Sequence, residues 1–119
     1  MLYNCIVIYK YLKGSLVEKL VQLSKIMSDL NRVKILTLIL RDKEVCVCEI
    51  CDTLELSQPL VSRHLRQMKE AGILEVKKRG KWMIYTLSHE PDSILKCWIN
   101  ELQIEINSLP RLVQCGSLK

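Results

Sequence analysis

Apolar residues recur at helical spacing in two long stretches in the first third of the chain. The first stretch runs from Leu16 to Met27 and has charged side chains between its leucines, which predicts an amphipathic helix. The second begins at Ser28, a suitable N-cap, with Asp29 in its first turn, and it continues to Leu40 with apolar side chains on most sides. A helix that is apolar all round is normally buried, so this second helix is predicted to form the centre of the core.

Two shorter helices follow, joined by only three residues. One is predicted from about Val47 to Leu54, and Ser57 can cap another that carries Pro59 in its first turn and ends at Gly72. Two helices with so short a link form a helix-turn-helix. Residues 73–78 and 82–87 are rich in strand-forming types and flank a turn at 79–81, which predicts a β-hairpin that serves as a wing.

The last predicted helix starts near Pro91 and is closed by Pro110. Its apolar stripe and that of the first helix have no obvious partner in so small a domain, which favours a homodimer over packing within one protomer. The residues predicted at the dimer interface are Leu16, Leu20, Leu23, Leu95, Trp98, Ile99, Leu102 and Ile106.

The expected fold class is mainly α with a small β-hairpin wing (α+β), that is, a winged helix-turn-helix. The domain is predicted to span residues 16–109 of the 119, with an N-terminal extension of unknown role at 1–15 and a tail at 110–119. No stretch is long and apolar enough to cross a bilayer, and the apolar start lacks the charge order of a secretory signal. We therefore expect a cytoplasmic protein with reduced thiols and no membrane partner.

The excess of positive charge lies in one segment of the chain. The net charge is +5, and residues 57–81 contain seven basic and two acidic side chains, so basic and acidic residues balance elsewhere. A solvated charged surface would instead have scattered the excess. A localised basic segment that coincides with a helix-turn-helix is typical of a protein that binds DNA.

In a helix-turn-helix the second helix enters the major groove, where glutamine can pair with adenine and arginine with guanine. Basic residues on the hairpin would meet phosphates or the minor groove. The residues predicted to bind DNA are Ser57, Gln58, Ser62, Arg63, His64, Arg66, Lys77, Lys78, Arg79 and Lys81. For His64, a role in helix packing is an equally good interpretation.

Three of the six cysteines fall within six residues, at Cys46, Cys48 and Cys51. Three thiolates without a nearby histidine favour a soft ion, and three is the number that a trivalent metalloid accepts, whereas zinc would need a fourth ligand. The alternative is that these cysteines are small buried hydrophobic residues.

The spacing of the three cysteines suggests how such a site could act as a switch. In a regular helix Cys48 and Cys51 share a face, about 60° apart, while Cys46 lies roughly 200° from Cys48. Cys46 stands at the predicted N-cap, with Glu49 three residues on as in a capping box. Binding all three thiolates would therefore require the first turn to unwind. A position at a helix start is also expected to lower the thiol pKa.

Several runs of residues resemble the ArsR/SmtB family of metal-responsive repressors. They are residues 28–32 (Ser-Asp-Leu-Asn-Arg), 44–51 (Glu-Val-Cys-Val-Cys-Glu-Ile-Cys), 57–65 (Ser-Gln-Pro-Leu-Val-Ser-Arg-His-Leu) and the wing from Gly80 to Leu87. The cysteine motif is similar to the inducer site of the arsenical-resistance repressors. The resemblance implies a repressor that binds an inverted-repeat operator in double-stranded DNA and leaves it when As(III) or Sb(III) binds.

The resemblance also leaves alternatives open. Some members bind zinc through Asp, His and Glu on the last helix, where this chain has no His. A cadmium- or lead-responsive branch adds N-terminal cysteines, of which only Cys5 is present. A thiol-redox-responsive repressor of the same fold would need two cysteines. An enzyme such as a thiol reductase is not expected, because it needs a base positioned beside its nucleophile and only His64 and His89 are available.

Overall fold

Five α-helices and a three-stranded sheet make up residues 16–113, the part of the chain that this computed structural model describes. The elements are α1 (Leu16–Ile26), α2 (Leu30–Asp42), β1 (Val45–Cys46), α3 (Val47–Leu54), α4 (Gln58–Glu70), β2 (Leu74–Arg79), β3 (Trp82–Leu87) and α5 (Ser93–Leu102), then a 3₁₀ helix (Gln103–Ser108). The predicted extension at 1–15 and the last six residues of the predicted tail lie outside the described residues. None of the described helices is long and apolar enough to cross a membrane.

Helix α2 forms the centre of the core, as the all-round apolar pattern predicts. Residues 35–40 are all buried, and four of them are fully inaccessible. The helix begins one residue later than expected, because Asp29 and not Ser28 is its N-cap. The Asp29 carboxylate accepts from the N–H groups of Asn31 at 2.8 Å and Arg32 at 3.3 Å. The hydroxyl of Ser28 donates instead to the carbonyl of Lys25, at the end of α1.

The sheet has the strand order β1-β3-β2 and is antiparallel throughout. Strands β2 and β3 form the predicted hairpin, which we call the wing (residues 74–87). Arg79 pairs with Trp82, so the turn consists of two residues, and Gly80 supplies its positive φ of 63°. The short strand β1 was not predicted. It places Val45 opposite Tyr85 and Cys46 opposite Ile84, and thereby joins the cysteine-bearing segment to the wing.

The last helix is shorter than predicted, and two of the predicted interface residues lie in the protomer's own core. Helix α5 ends at Leu102 and gives way to the 3₁₀ helix. Leu23 of α1 and Leu95 of α5 are each only 1% exposed. Placing those two leucines at a dimer interface was therefore wrong, because each helix uses one leucine to pack into the core of its own protomer.

The other predicted interface residues remain partly or largely accessible. Leu20 is 43% exposed, and Val17 and Val21 beside it on α1 are exposed as well. Trp98, Ile99, Leu102 and Ile106 are half-buried. The side chain of Leu16 lies outside what the structure describes.

The chain beyond α5 folds back onto α2 and α3. The Arg41 guanidinium of α2 donates to the carbonyls of Leu109 at 3.0 Å and Pro110 at 2.7 Å. Three residues further on, the N–H of Val113 donates to the buried hydroxyl of Thr53 on α3 at 2.8 Å. The first residues of the predicted tail are thus in contact with the domain.

Arg32 and His64 hold three helices together. The Arg32 Nε–H donates to His64 Nδ1 of α4 at 3.0 Å, and its Nη1 donates to the carbonyls of Lys25 and Ile26 at the end of α1, each at 3.4 Å. His64 is only 3% exposed. Its assignment to the DNA-reading surface was therefore wrong, and the packing interpretation is correct. A single arginine connects the end of α1 to the middle of α4.

This contact predicts a stability that falls in mild acid. Burial is the main cause that lowers the pKa of His64, so the folded protein binds this proton more weakly than the unfolded chain does. The stability that neutral His64 contributes is complete above a pH of about 6.5 and is lost as the pH falls from there through the lowered pKa of the folded state. Urea unfolding of the parent and of His64→Gln between about pH 8 and pH 5 measures this contribution. Identical pH slopes for the two proteins would contradict it.

Candidate DNA interface and cysteine site

Helix α4 separates a buried face from an exposed face that carries the predicted base-reading residues. Val61, Leu65 and Met68 are fully buried against the core. The opposite face exposes Ser57, Gln58, Ser62, Arg63 and Arg66. Ser57 is the N-cap and Pro59 occupies the first turn, and Ser57 and Gln58 are exposed at the N-terminal end of the helix. This is the end that base readout by a recognition helix requires.

The wing adds four exposed cations to this surface. Lys77, Lys78, Arg79 and Lys81 are all exposed, as predicted for phosphate contacts. The Lys81 ammonium lies 5.3 Å from the centre of the Trp82 ring, a cation–π contact that orients it at the turn. Of the ten residues predicted to bind DNA, His64 alone is buried, and the other nine lie on exposed parts of α4, its N-cap and the wing.

Cys46 and Cys48 lie side by side. Their Sγ atoms are 3.4 Å apart, which is too long for a disulfide of about 2.05 Å. Two thiolates bound to one tetrahedral ion at about 2.3 Å, the length of a zinc–sulfur bond, lie about 3.8 Å apart, so the two sulfurs are already near the separation that a shared ion requires. Cys48 is disulfide-bonded, contrary to the expectation of reduced thiols, so a ligand reaches its sulfur only after reduction.

The expectation that Cys46 and Cys48 point to opposite sides was wrong. It assumed that both residues are helical, but Cys46 is the extended N-cap of α3, with φ of −97° and ψ of 167°. Its N–H donates to Glu49 Oε1 at 3.0 Å, which confirms the Glu49 half of the predicted capping box. Because Cys46 is the last residue of β1 and keeps an extended backbone, its side chain lies beside that of Cys48 while α3 remains fully wound.

Cys51 stands one helical turn after Cys48 as a free, half-buried thiol. In residues 16–113, no three His, Cys, Asp or Glu side chains are placed to hold one metal ion. The structure therefore brings together two of the three predicted ligands. The third is on the same short helix and has to approach the pair.

Burial raises the pKa of both free thiols in this motif. For Cys46, burial is the largest effect and the Glu49 carboxylate adds to it, while a backbone hydrogen bond with Glu49 acts in the opposite direction. For Cys51, burial is again the main cause of the raised pKa, and Asp52 adds to it. The expected lowering by the helix start is therefore outweighed by desolvation.

Glu44 is a residue that the sequence argument passed over. It lies between α2 and β1, and its carboxylate binds Lys77 at 3.3 Å and Arg79 at 3.1 Å. These cations, Arg79 first, lower the pKa of Glu44. An acidic residue just before the cysteine motif was visible in the sequence, but its partners lie more than thirty residues away, on a strand that only the fold brings near.

Comparisons with known proteins agree with this architecture. Residues 29–76 match the family model described as "Bacterial regulatory protein, arsR family". The chain is 38% identical over 107 residues to the arsenical resistance operon repressor of Escherichia coli, covering 83% of this chain and 92% of that protein. It is 48% identical over 66 residues to an arsenic resistance transcriptional regulator of Pseudomonas putida, covering 56% of this chain and 52% of that protein.

A cadmium resistance transcriptional regulatory protein CadC homolog of Staphylococcus aureus is 39% identical over 66 residues, or 56% of this chain and 54% of that protein. The chain thus spans about half the length of two of these relatives and nearly all of the third.

Solved structures show the same fold. Reduced HlyU from Vibrio cholerae superposes with a TM-score of 0.64 at 34% identity, covering 74% of this chain and 88% of that one. A homodimeric winged helix-turn-helix DNA-binding domain from Mycobacterium bovis has a TM-score of 0.62 at 17% identity, covering 77% of this chain and 82% of that one. The family-model match and the identity to almost the whole Escherichia coli repressor show that this chain belongs to the ArsR family of bacterial regulatory proteins.

Proposed function

We propose that this protein is a transcriptional repressor that binds an inverted-repeat operator as a homodimer and leaves it when As(III) or Sb(III) binds Cys46, Cys48 and Cys51. The observation that carries the proposal is the position of the adjacent Cys46 and Cys48 sulfurs. They stand where strand β1 of the wing sheet passes into the first helix of the helix-turn-helix. A ligand at this point contacts both the sheet that carries the wing and the first helix of the helix-turn-helix.

The DNA half of the proposal is supported by the exposed surface of α4 and the wing. Arg63 and Gln58 are exposed on the helix that would enter the major groove, and the wing supplies cations for the backbone. The two relatives with arsenic functions are named a transcriptional regulator and an operon repressor.

The homodimer is supported by apolar surface that one protomer leaves uncovered. Val17, Leu20 and Val21 form an exposed apolar face of α1, and Trp98 and Leu102 of α5 are only half-buried. An exposed apolar face on a small domain commonly marks a protein–protein contact. Two copies of the chain would cover it symmetrically and place two recognition helices on one operator.

The inducer half of the proposal is supported by the donor set. The motif offers three sulfurs, a number that suits a trivalent metalloid, and soft ligands favour such an ion over a hard one. The relatives include regulators of arsenic and of cadmium resistance, so cadmium is the closest competitor. Because the sulfurs of Cys46 and Cys48 are already adjacent, the movement that accompanies binding is the approach of Cys51. That approach distorts α3, which precedes α4 by three residues.

The first prediction concerns the DNA surface. Replacing Arg63 with Ala should relax base preference, because a lost bidentate contact to a base removes about 1–3 kcal/mol of discrimination. Lys78→Ala should weaken binding to all DNA sequences by a similar factor. It should also reduce the slope of log affinity against log salt concentration by about 1, as the loss of a phosphate contact does. Lys96→Ala removes the same charge from α5 and serves as the matched control. Footprinting and binding titrations at several salt concentrations measure these effects, and a footprint without two-fold symmetry would argue against the dimer.

The second prediction concerns assembly. Leu20→Glu places a charge on the exposed apolar face of α1 without disturbing the protomer core, and it should yield monomers with reduced operator affinity. Gln22→Glu adds the same charge to another exposed side of α1 and should leave the dimer intact. Analytical ultracentrifugation separates the two results. If Leu20→Glu still sediments as a dimer, the interface lies elsewhere.

The third prediction concerns the inducer and uses reduced protein. Arsenite should bind one per subunit and lower operator affinity by about 5- to 150-fold, the usual range of allosteric coupling. Cys46→Ser and Cys48→Ser should lose arsenite affinity, because each breaks the adjacent pair. Cys51→Ser should retain weaker two-thiolate binding and lose most of the release. Cys97→Ser, which removes an exposed thiol on α5, should respond as the parent does.

Parallel titrations with arsenite, cadmium and peroxide distinguish the alternatives. A parent that responds to cadmium or to peroxide but not to arsenite would identify a different inducer for the same fold. A variant with Ser at Cys46, Cys48 and Cys51 that still leaves its operator on addition of arsenite would refute the cysteine site itself.

A further inference from the structure

Glu44 connects the cysteine segment (residues 44–51) to the wing by a contact that crosses the sheet. The residue follows the C-cap of α2 and directly precedes β1, whose partner is β3. Its carboxylate nevertheless binds two cations of β2, the strand on the far side of β3. The interaction therefore spans all three strands.

Each carboxylate oxygen of Glu44 has its own partner. Oε2 lies 3.3 Å from Lys77 Nζ, and Oε1 lies 3.1 Å from Arg79 Nη1. Lys77 and Arg79 are separated by one residue on β2, so their side chains leave the strand on the same face. With both oxygens engaged, a displacement of Glu44 changes the position of both cations together.

These contacts join the two surfaces that the proposed function assigns to different ligands. Lys77 and Arg79 are two of the four wing cations, and Glu44 is two residues from Cys46. Only two residue pairs, Val45 with Tyr85 and Cys46 with Ile84, tie this segment to the wing through the backbone. The two side-chain ion pairs of Glu44 add to this connection in the described residues.

We propose that Glu44 is a positioning residue that couples occupation of the cysteine site to the placement of the wing cations. When the cysteine segment moves, Glu44 moves with it and draws Lys77 and Arg79 out of the arrangement that suits DNA phosphates. In this role Glu44 acts through Lys77 and Arg79 and needs no contact of its own with the inducer or with DNA. The inference rests on the proposed function, because it requires that a ligand at the cysteines changes operator affinity.

The test measures the ratio of operator dissociation constants with and without arsenite in the reduced, full-length protein. Glu44→Gln keeps the shape of the side chain and removes its charge. The ratio should fall about two- to fivefold relative to the parent, which is the scale of exposed ion pairs, while one arsenite per subunit still binds. By linkage, the ratio of arsenite affinities for free and operator-bound protein should fall by the same factor.

Loss of an acidic group near DNA raises operator affinity by itself, so a matched control is needed. Glu75→Gln removes the same charge from β2, where Glu75 contacts His89 and neither Lys77 nor Arg79. This substitution should change the operator affinity by the same factor in the presence and in the absence of arsenite. The ratio of the two dissociation constants should therefore stay unchanged. An equal fall in the ratio for Glu75→Gln would overturn the proposal in favour of a general charge effect.

A second variant removes the same ion pairs by replacing the two partners of Glu44 on the wing. The double variant Lys77→Gln/Arg79→Gln should bind DNA more weakly but show the same reduced ratio as Glu44→Gln. Combining all three substitutions should reduce the ratio no further, because the interaction is already absent. Additive reductions would contradict the coupling. If arsenite does not change the operator affinity of the parent, the proposed function is wrong. If the parent responds and Glu44→Gln shows the same ratio of dissociation constants as the parent, only the role of Glu44 is wrong.

Discussion

Helix α2 can be apolar on nearly every side only if other elements cover it, and this requirement organises the domain. Residues 35–40 are all buried. Leu23 of α1, Leu65 of α4 and Leu95 of α5 are buried in the same cluster. Each of these helices gives one apolar face to the core and keeps another face for a different use. For α4 that other face is the candidate DNA surface, and for α1 it is the apolar surface assigned to a second protomer.

A second constraint follows from the extended backbone at Cys46. The residue is at once the end of β1 and the N-cap of α3, so it belongs to the wing sheet and to the helix-turn-helix. Any ligand that binds Cys46 acts at the joint between the two. The same backbone conformation lets its sulfur lie beside that of Cys48. Once Cys48 is reduced, the proposed switch starts from two adjacent sulfurs, and the approach of Cys51 accompanies the distortion of α3.

Some charged side chains in this protein connect one helix or strand to another. Arg32 reaches from α2 to the end of α1 and to His64 of α4. Glu44 reaches from the cysteine segment to Lys77 and Arg79 of the wing. Exposed ion pairs contribute little to global stability, commonly less than about 1 kcal/mol. Energies of that size are nevertheless comparable with the 1–3 kcal/mol of a typical allosteric coupling, so such contacts can modulate regulation without greatly affecting folding.

The sequence by itself determined the element types, because helical and alternating apolar periods are local properties. It predicted the bounds of α3 and β3 as found, the central position of α2, the wing, and the exposure of nine of the ten DNA-binding candidates. The ArsR family, too, was recognisable from short motifs. Tertiary structure alone decided which residues at the edges of these faces enter the core of the protomer itself, and so placed His64, Leu23 and Leu95 inside. It also decided the pairing of β1 with β3, the adjacency of Cys46 and Cys48, and the partners of Glu44. These depend on residues distant in sequence or on one non-helical residue, and the periodicity of an amphipathic pattern carries no information about either.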